Sequence, residues 1–249
     1  MKALLKKIIP LSLRNSVRTF WRRAKTPFYI GNKHECNCCG IRLRTFISWA
    51  GRPNAYCPNC GSKERSRLLL MYLKQETRIW DSSLKVLHFA PQKCIFDHLV
   101  KLDVEYIDGD INPLHARNVV DITNIHYPDN YFDLIICSHT LGHVPDEAAG
   151  IKEMHRVLHP DGKALILTYL KPGLEKTFED PTHDTDELRT LHYGEPDCQR
   201  NHGLDFTDRL KAGGFDVERV DYRLELDQKI RDRFVLGNGE REIIFVGTK

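Results

Sequence analysis

The stretch Asp121-Ile-Thr-Asn-Ile-His-Tyr-Pro-Asp-Asn-Tyr-Phe-Asp-Leu-Ile-Ile-Cys137 decides the fold. It starts with an acidic residue, passes through a Pro-Asp turn and ends in an apolar run at residues 132–137. An apolar run of this length between turn signals indicates a strand that is buried on both faces, as in a parallel sheet. We therefore expect an α/β domain built around this strand.

Further apolar runs on both sides of this stretch alternate with helical periodicity. The chain also carries signals for strands at residues 85–89, 104–110, 119–122 and 163–169. Helices are expected at 64–78, 94–101 and 146–158, and a helix at 205–212 ends at Gly213-Gly214. Residues 215–222 and 242–248 predict two last strands that pair antiparallel, and residues 171–203 predict a polar loop. This order is typical of a parallel sheet covered by helices.

Composition places the protein among soluble, cytoplasmic chains. Of its 249 residues, 41% are hydrophobic and 29% are charged, as in ordinary globular proteins. No apolar run approaches the roughly 18 residues of a membrane span, and Lys2, Lys6 and Lys7 interrupt the start too early for a signal peptide. In a reducing cytoplasm, the eight cysteines are expected to be metal ligands and buried thiols rather than disulfides.

Residues 1–33 form a basic arm with nine Lys or Arg and no acidic residue, whereas the rest holds 28 basic and 34 acidic side chains. Helical spacing predicts one or two amphipathic helices that are split at Pro10. Their apolar stripe holds Leu13, Val17, Phe20 and Trp21, and Arg14, Arg18 and Arg22 lie on another face. The stripe could dock on the body, or the arm could meet an anionic membrane surface. Contact with nucleic acid is the less favoured alternative.

Two Cys-x-x-Cys-Gly turns lie at Cys36–Gly40 and Cys57–Gly61, with 17 residues between Cys39 and Cys57. Tetrahedral Zn²⁺ takes four thiolates at about 2.3 Å, and two such turns that face each other supply them. Residues 34–66 therefore predict a zinc ribbon with Cys36, Cys39, Cys57 and Cys60 as ligands. With all four positions filled by cysteine, the metal is expected to be structural.

Acidic residues follow neighbouring strands of the predicted sheet, and ligands in such sheets bind beyond the carboxyl ends of the strands. Asp108 and Asp110 end the second predicted strand, where a carboxylate can accept hydrogen bonds from ribose hydroxyls. Asp121, in the next loop, can accept one from an adenine amino group. The turn Phe89-Ala-Pro-Gln92 is expected to lie beside the same nucleoside.

The stretch from Asp121 to Cys137 resembles the signature of class I S-adenosylmethionine-dependent methyltransferases, in which an acid and a Pro-Asp turn precede a Phe-Asp strand. Leu141-Gly-His-Val-Pro145 and Met154-His-Arg-Val-Leu-His-Pro-Asp-Gly-Lys-Ala164 are similar to two later motifs of that family. A bacterial subgroup that joins a zinc ribbon to this domain is similar in Cys57-Pro-Asn-Cys-Gly-Ser-Lys-Glu-Arg and in Thr177-Phe-Glu-Asp-Pro181. The resemblance covers residues 85–222 in order.

This resemblance implies a Rossmann-like sheet of seven strands with an antiparallel last strand, behind a small zinc ribbon. The implied organisation is an arm at 1–33, a ribbon at 34–66 and the methyltransferase domain at 67–249. S-adenosylmethionine is the implied cofactor. Its implied contacts are His88, Phe89, Ala90, Pro91, Gln92, Asp110, Ile111, Asp121, Ile122, Ser138 and His139.

The chain departs from the subgroup at several positions. It lacks the glycine-rich turn after the first strand, where Ala90 is the smallest residue, and it has Gln92 and Gly142 where the subgroup has Glu. The subgroup also has Asp-His-Val-Arg where this chain reads Asp197-Cys-Gln-Arg200. A catalytically weakened protein that only binds the cofactor is therefore one alternative function.

The polar segment at 177–203 is expected to cover the acceptor end of the cleft, because it follows the fifth strand. Its candidate side chains are Glu179, Asp180, His183, His192, Tyr193, Asp197 and His202. Asp180 and His202 are the predicted catalytic residues. We expect methyl transfer to a small-molecule or glycan-type polar acceptor, in the cytoplasm or at the inner membrane face, with an RNA methyltransferase as the alternative.

Overall fold

The structure, a computed structural model, describes residues 11–80 and 83–249. Its first segment is helix α1 (Leu11–Ala24), followed by a 3-10 turn (Thr26–Tyr29). Four short strands then form two antiparallel hairpins, β1 (Ile30–Glu35) with β2 (Arg42–Leu43) and β3 (Ile47–Trp49) with β4 (Arg52–Tyr56). The first ten residues of the expected basic arm lie outside the described residues.

Each cysteine pair lies in a tight turn. The amide of Gly40 donates to the carbonyl of Cys36 (2.7 Å), and the amide of Gly61 donates to the carbonyl of Cys57 (3.1 Å). Both glycines have positive φ values, 71° and 80°, in the left-handed region that glycine enters without steric cost. The two Cys-x-x-Cys-Gly turns therefore form as the sequence predicts.

The rest of the described chain alternates helices and strands. In order these are α2 (Glu64–Glu76), β5 (Lys85–Phe89), α3 (Lys93–Leu99), β6 (Glu105–Asp110), β7 (Asn118–Val119), β8 (Phe132–Ser138), α4 (Glu147–Val157), β9 (Leu158–Leu167), α5 (Asp186–Tyr193), α6 (Phe206–Ala212), β10 (Asp216–Val220), α7 (Gln228–Phe234) and β11 (Ile244–Thr248).

Seven of these strands form one sheet in the order β10-β11-β9-β8-β5-β6-β7. The five strands from β9 to β7 run parallel, and β11 pairs antiparallel with both β9 and β10. The expected α/β sheet with an antiparallel last strand is confirmed. Because β5 lies between β8 and β6, the chain reverses direction across the sheet beside β5, and this is where such folds bind ligands.

Helices cover both faces of the sheet, so alternate residues of the central strands are buried in two different layers. Val86 and Ile136 pack on one face with the leucines of α2, whereas Leu87 and Ile135 pack on the other with α4 and α6. Ribbon residues such as Phe46 belong to the first of these layers. The ribbon and the sheet therefore share one continuous core.

Two local expectations are wrong. Residues 171–203 contain helix α5, which the sequence analysis missed, and β9 begins at Leu158, five residues before its expected start. The Thr185 side chain accepts a hydrogen bond from the amide of Leu188 (3.2 Å), and Gly194 ends α5 with a φ of 92°. Tyr193 is the buried residue of this helix. A helix with so little buried surface has no apolar stripe for periodicity to detect.

Arg67 of α2 joins the ribbon to the last helix of the domain, with none of its side chain exposed. Its Nε donates to the carbonyl of Phe234 (2.7 Å) and Nη2 to that of Val235 (2.8 Å). Nη1 donates to the carbonyls of Ala55 (3.2 Å) and Ser62 (3.1 Å). Hydrogen bonds from a charged donor contribute about 1.5–3 kcal/mol each, so this one guanidinium fixes the ribbon against the sheet.

Helix α1 contacts the ribbon through its polar side. Arg22 Nη1 donates to the carbonyls of the second cysteine turn, at Cys57 (3.3 Å), Pro58 (3.1 Å) and Asn59. Val17, Phe20 and Trp21 are 47%, 67% and 60% exposed. For these three residues the expected docking of the apolar stripe on the body is wrong. Arg22 makes the contact with the ribbon, and the apolar side chains are exposed to solvent. No helix in the described part of the chain is long and apolar enough to span a membrane.

Candidate active site

A cavity of about 780 Å³ opens at the carboxyl ends of β5, β6 and β8. This volume lies within the usual range for small-molecule sites. The cavity brings together seven of the predicted cofactor residues, Phe89, Ala90, Asp110, Ile111, Asp121, Ile122 and His139. Asp110 and Asp121, the two carboxylates at neighbouring strand ends, therefore face one crevice, as the sequence predicted.

The other four predicted contacts do not line this cavity. His88 is fully buried, and its Nδ1 lies 2.9 Å from the Tyr106 hydroxyl. Burial lowers its pKa to about 4. Gln92 Nε2 donates to the carbonyls of Ala90 (3.0 Å) and Ser138 (3.4 Å), so it supports the cavity wall. Contact of His88, Pro91, Gln92 and Ser138 with a cofactor stays a prediction.

At the cavity, two non-glycine residues have positive φ values: Ala90 (44°) and His139 (58°). They directly follow β5 and β8, two neighbouring parallel strands in the middle of the sheet. Such backbone costs about 1–3 kcal/mol per residue and persists where the surroundings fix it, often at functional sites. The amide of Ala90 donates to the carbonyl of Gly109 (2.9 Å). Ala90 therefore makes the sharp turn for which the family uses glycine.

The carboxylates at the end of β6 have different surroundings. Asp108 is buried, and its carboxylate accepts a hydrogen bond from Arg117 Nε (2.5 Å). This carboxylate is therefore already paired within the protein. Asp110 lines the cavity, and its Oδ1 accepts from the amide of Asn112 (2.8 Å). Asp121 Oδ1 accepts from the amide and the hydroxyl of Thr123 (2.8 and 2.7 Å). Among the described residues no donor contacts Oδ2 of Asp121, which leaves it free to accept a ligand hydrogen bond.

A second cavity, of about 360 Å³, adjoins the first, and both are lined by His139, His143 and Glu195. The late polar segment lines one side of it with residues that include Tyr193, Cys198 and His202. The ribbon and the start of α2 line another side, with Trp49, Ala50, Arg52, Lys63 and Arg65. This contribution of the ribbon to the cavity lining was not predicted from the sequence.

The late segment is fixed to the cavity wall by Arg200, which is 5% exposed. Its two Nη atoms donate to the carbonyls of Leu141 (3.0 Å), Val144 (2.6 Å) and Pro145 (2.9 Å). Its Nε donates to Glu179 (2.7 Å). The amide of Gln199 also donates to the carbonyl of Gly142 (2.8 Å). These bonds place the predicted acceptor segment beside the cofactor cavity.

The two predicted catalytic residues have different positions. His202 lines the second cavity but is 2% exposed, with Nδ1 2.6 Å from the Thr168 hydroxyl and Nε2 2.6 Å from Glu147. Asp180 lines neither cavity, and its carboxylate accepts from the amide of Thr182 (2.9 Å). Hydrogen bonds from Thr182 lower its pKa. Catalytic roles for both stay predictions.

His143 was missed as a site residue, although it lies in the quoted Leu141–Pro145 motif. It is half-buried between the two cavities, and its Nδ1 lies 3.5 Å from Asp197 Oδ1. Its Nε2 lies 3.9 Å from Glu195 Oε2. Its position in the sequence could have identified it, because it lies one short turn after β8, where side chains of α/β folds face the ligand.

The four cysteines of the ribbon meet at one point, with Sγ atoms within 4.8 Å of one another. The distance between the sulfurs of Cys36 and Cys60 is 3.6 Å, and that between Cys39 and Cys57 is 3.8 Å. A disulfide requires about 2.05 Å, whereas sulfurs on a tetrahedral zinc ion are about 3.8 Å apart. The cluster therefore has the dimensions of a four-thiolate metal site. Cys38, which lies inside the first turn, is not part of it.

Comparisons with known proteins identify the middle of the chain. Residues 59–166 match a family described as a methyltransferase domain. Ubiquinone/menaquinone biosynthesis C-methyltransferase UbiE of Shewanella sp. (strain ANA-3) is 34% identical over 97 residues, 32% of this chain and 39% of the relative. The protein of the same name from Vibrio cholerae is 33% identical over 88 residues, 31% and 34% of the two chains. The similarity thus spans well under half of these relatives.

Solved structures show the same fold. An S-adenosylmethionine-dependent methyltransferase from Mesorhizobium loti superposes with a TM-score of 0.50 and 18% identity, over 72% of this chain and 96% of its own. The [4+2]-cyclase SpnF superposes with a TM-score of 0.51 and 15% identity, over 74% and 82%. Since one of the two is titled a cyclase, the fold leaves the reaction open. Residues 59–166 thus match a methyltransferase domain family, and the strand order agrees with the fold of these solved structures.

Proposed function

We propose that the protein transfers a methyl group from S-adenosylmethionine to a small-molecule or glycan-type polar acceptor. One observation carries this proposal: the cavity with Asp110 and Asp121 at its strand ends adjoins a second, polar cavity, and His139, His143 and Glu195 line both. The first has the size of a nucleoside site and the second that of a small acceptor. Methyl transfer needs two such sites side by side, because donor and acceptor atoms must be aligned.

The residues present fit this cofactor. Asp110 would accept hydrogen bonds from the ribose hydroxyls, Asp121 would accept one from the adenine amino group, and Ile111 and Ile122 supply apolar surface for the ring. The cofactor supplies a methyl group that its positive sulfur already activates. The protein then has to orient the two reactants and exclude water. The turn held by Arg200 and the left-handed residues Ala90 and His139 make this wall rigid.

The relatives support the cofactor half of the site more than the acceptor half. Their matched segments correspond to about a third of this chain. The reaction that their names give, C-methylation in ubiquinone/menaquinone biosynthesis, therefore does not define the acceptor here. The second cavity is lined by Arg, Lys, His and Asn side chains, which favours a polar acceptor. Its small volume, about 360 Å³, favours a small molecule or sugar over an RNA strand.

Calorimetric titration with S-adenosylhomocysteine tests the proposal. We expect micromolar binding by the wild-type protein and a loss of about tenfold or more in Asp110→Ala, because a carboxylate that receives hydroxyl hydrogen bonds contributes about 1.5–3 kcal/mol. Asp103→Ala is the matched control, because this exposed aspartate lies outside the cavity. Absence of binding in the wild-type protein would remove the methyl-transfer proposal.

For the ribbon, we propose that Cys36, Cys39, Cys57 and Cys60 bind one structural Zn²⁺. The four sulfurs have the right spacing and belong to facing turns, and an all-thiolate set leaves no position for water or substrate. In small modules such binding supplies much of the folding free energy. Here it would hold the two hairpins that carry part of the second cavity.

Zinc content and melting temperature test this assignment. The purified protein should contain about one zinc per chain, and Cys57→Ser should lose the metal and melt on the order of 10 °C lower. Cys198→Ser is the control, because this half-buried thiol lies outside the cluster. A zinc-free wild-type protein, or equal destabilisation by the control, would contradict the proposal.

We also propose that the basic arm rests on an anionic membrane surface. Phe20 and Trp21 of α1 are 67% and 60% exposed, whereas the neighbouring Arg22 contacts the ribbon. Phe28, in the turn after α1, is 72% exposed. Aromatic residues next to clustered cations favour the membrane interface, where each cation contributes about 1 kcal/mol.

Co-sedimentation with vesicles tests the arm. The protein should sediment with phosphatidylglycerol vesicles and much less with phosphatidylcholine vesicles, because the attraction is electrostatic. Phe20→Ser with Trp21→Ser should abolish sedimentation. Leu191→Ser, which removes an exposed apolar side chain elsewhere (75% exposed), should leave it unchanged. Equal binding by the double variant and the wild-type protein would rule out the arm as the contact.

A further inference from the structure

The second cavity has a concentration of positive charge, which we call the cationic wall: Arg52, Lys63, Arg65 and Arg241. Arg52 comes from β4 of the ribbon, Lys63 and Arg65 from the start of α2, and Arg241 from the segment before β11. These side chains are distant in sequence and meet because the ribbon packs on the sheet.

Most of this charge has no counter-ion in the protein. Arg52 pairs with Glu64 (3.1 Å), but none of the other three forms an ion pair with a described residue. Lys63 lies over the ring of Trp49 (5.7 Å) and Arg241 over that of Tyr169 (3.7 Å). The Nε atom of Arg65 is buried without a hydrogen-bond partner among the described residues. Buried polar groups are normally paired, so an unpartnered guanidinium in a cavity marks a place for an acceptor.

The nearby carboxylates offset the charge of the wall only in part: Glu64 and Glu242 act to raise the pKa of Arg65, but burial and the cations Arg241 and Arg52 outweigh them and lower it to about 10. Glu64 is already bound by Arg52, and Glu195 is on the exposed side of the cavity. Glu242 is buried behind Arg241, where it accepts from the amide of Gly239 (2.9 Å), and burial raises its pKa. One carboxylate thus pairs with a wall arginine, one is solvated and one accepts from backbone amides, so none of them forms an ion pair with Lys63, Arg65 or Arg241.

Burial and, after it, the neighbouring cations lower the pKa values of two groups at the wall. Burial, together with Arg65 and Arg52, lowers the pKa of Lys63 to about 8. Burial and the same kind of cationic neighbours, Arg65 and Arg241, hold the pKa of His139 well below its usual range. An anion placed among these groups would be attracted by all of them at once.

We propose that the second cavity binds an anionic group of the acceptor, a carboxylate or a phosphate, between Lys63, Arg65 and Arg241. Guanidinium groups bind both through paired N–H donors, which gives orientation as well as affinity. The inference rests on the proposed methyl transfer, since this cavity adjoins the proposed cofactor cavity and shares His139 and His143 with it. It narrows the acceptor class to acidic small molecules, such as uronic acids or sugar phosphates.

Titration of the full chain, saturated with S-adenosylhomocysteine, with three sugars tests the inference. Glucuronate carries a carboxylate, glucose 6-phosphate carries a phosphate, and glucose is the neutral control. At least one anionic sugar should bind at millimolar concentrations or better and glucose should not. The sugar that binds shows whether the anionic group of the acceptor is a carboxylate or a phosphate. Arg65→Gln and Arg241→Gln should each weaken that binding by about fivefold or more, whereas the exposed Arg219→Gln should not.

The readouts separate this inference from the proposed function. Affinity for S-adenosylhomocysteine should change less than about twofold in both variants, because neither arginine lines the cofactor cavity. Two variants are used so that misfolding of one does not decide the outcome. If neither acid binds, or if both variants bind as well as the wild-type protein, the inference is wrong while the cofactor titration still stands. If S-adenosylhomocysteine fails to bind, the methyl-transfer proposal fails instead.

Discussion

The buried guanidinium of Arg67 is the interaction on which the arrangement of the site depends. It binds carbonyls of β4, of the turn after Cys60 and of the end of α7, all away from water. Removing one partner from such a set leaves desolvated carbonyls, which costs more than the bond itself gains. The ribbon is therefore held in one orientation, and residues 49–65 reach the second cavity only in that orientation.

Because of this coupling, the ribbon contributes to the lining of the second cavity as well as to stability. A zinc ion in the four-cysteine cluster would stiffen the two hairpins, and Arg67 would transmit their position to the sheet. Arg65, two residues earlier on the same helix, is directed into the cavity. The same helix thus packs the ribbon on the core and supplies charge to the acceptor side.

Sequence reasoning predicted the sheet and the carboxylates well, because both follow from local patterns. Asp110 and Asp121 stand at the ends of apolar runs, and parallel strands bring such ends to one edge. For His88, sequence reasoning took a cofactor contact from the family resemblance; that contact stays a prediction, and in this structure His88 is buried beside Tyr106. Sequence reasoning missed α5, which buries little, and the cationic wall, which depends on packing between distant segments. Ala90 could not be assigned a left-handed backbone from its identity.

The central claim is that a nucleoside occupies the crevice between Asp110 and Asp121. A crystal structure of the protein grown with S-adenosylhomocysteine tests this most directly. The ribose hydroxyls should lie within hydrogen-bonding distance of the Asp110 carboxylate, the adenine should lie beside Ile122 near Asp121, and the sulfur should point toward His139 and the second cavity. A ligand bound elsewhere, or a crevice in which both carboxylates turn to solvent, would contradict the account.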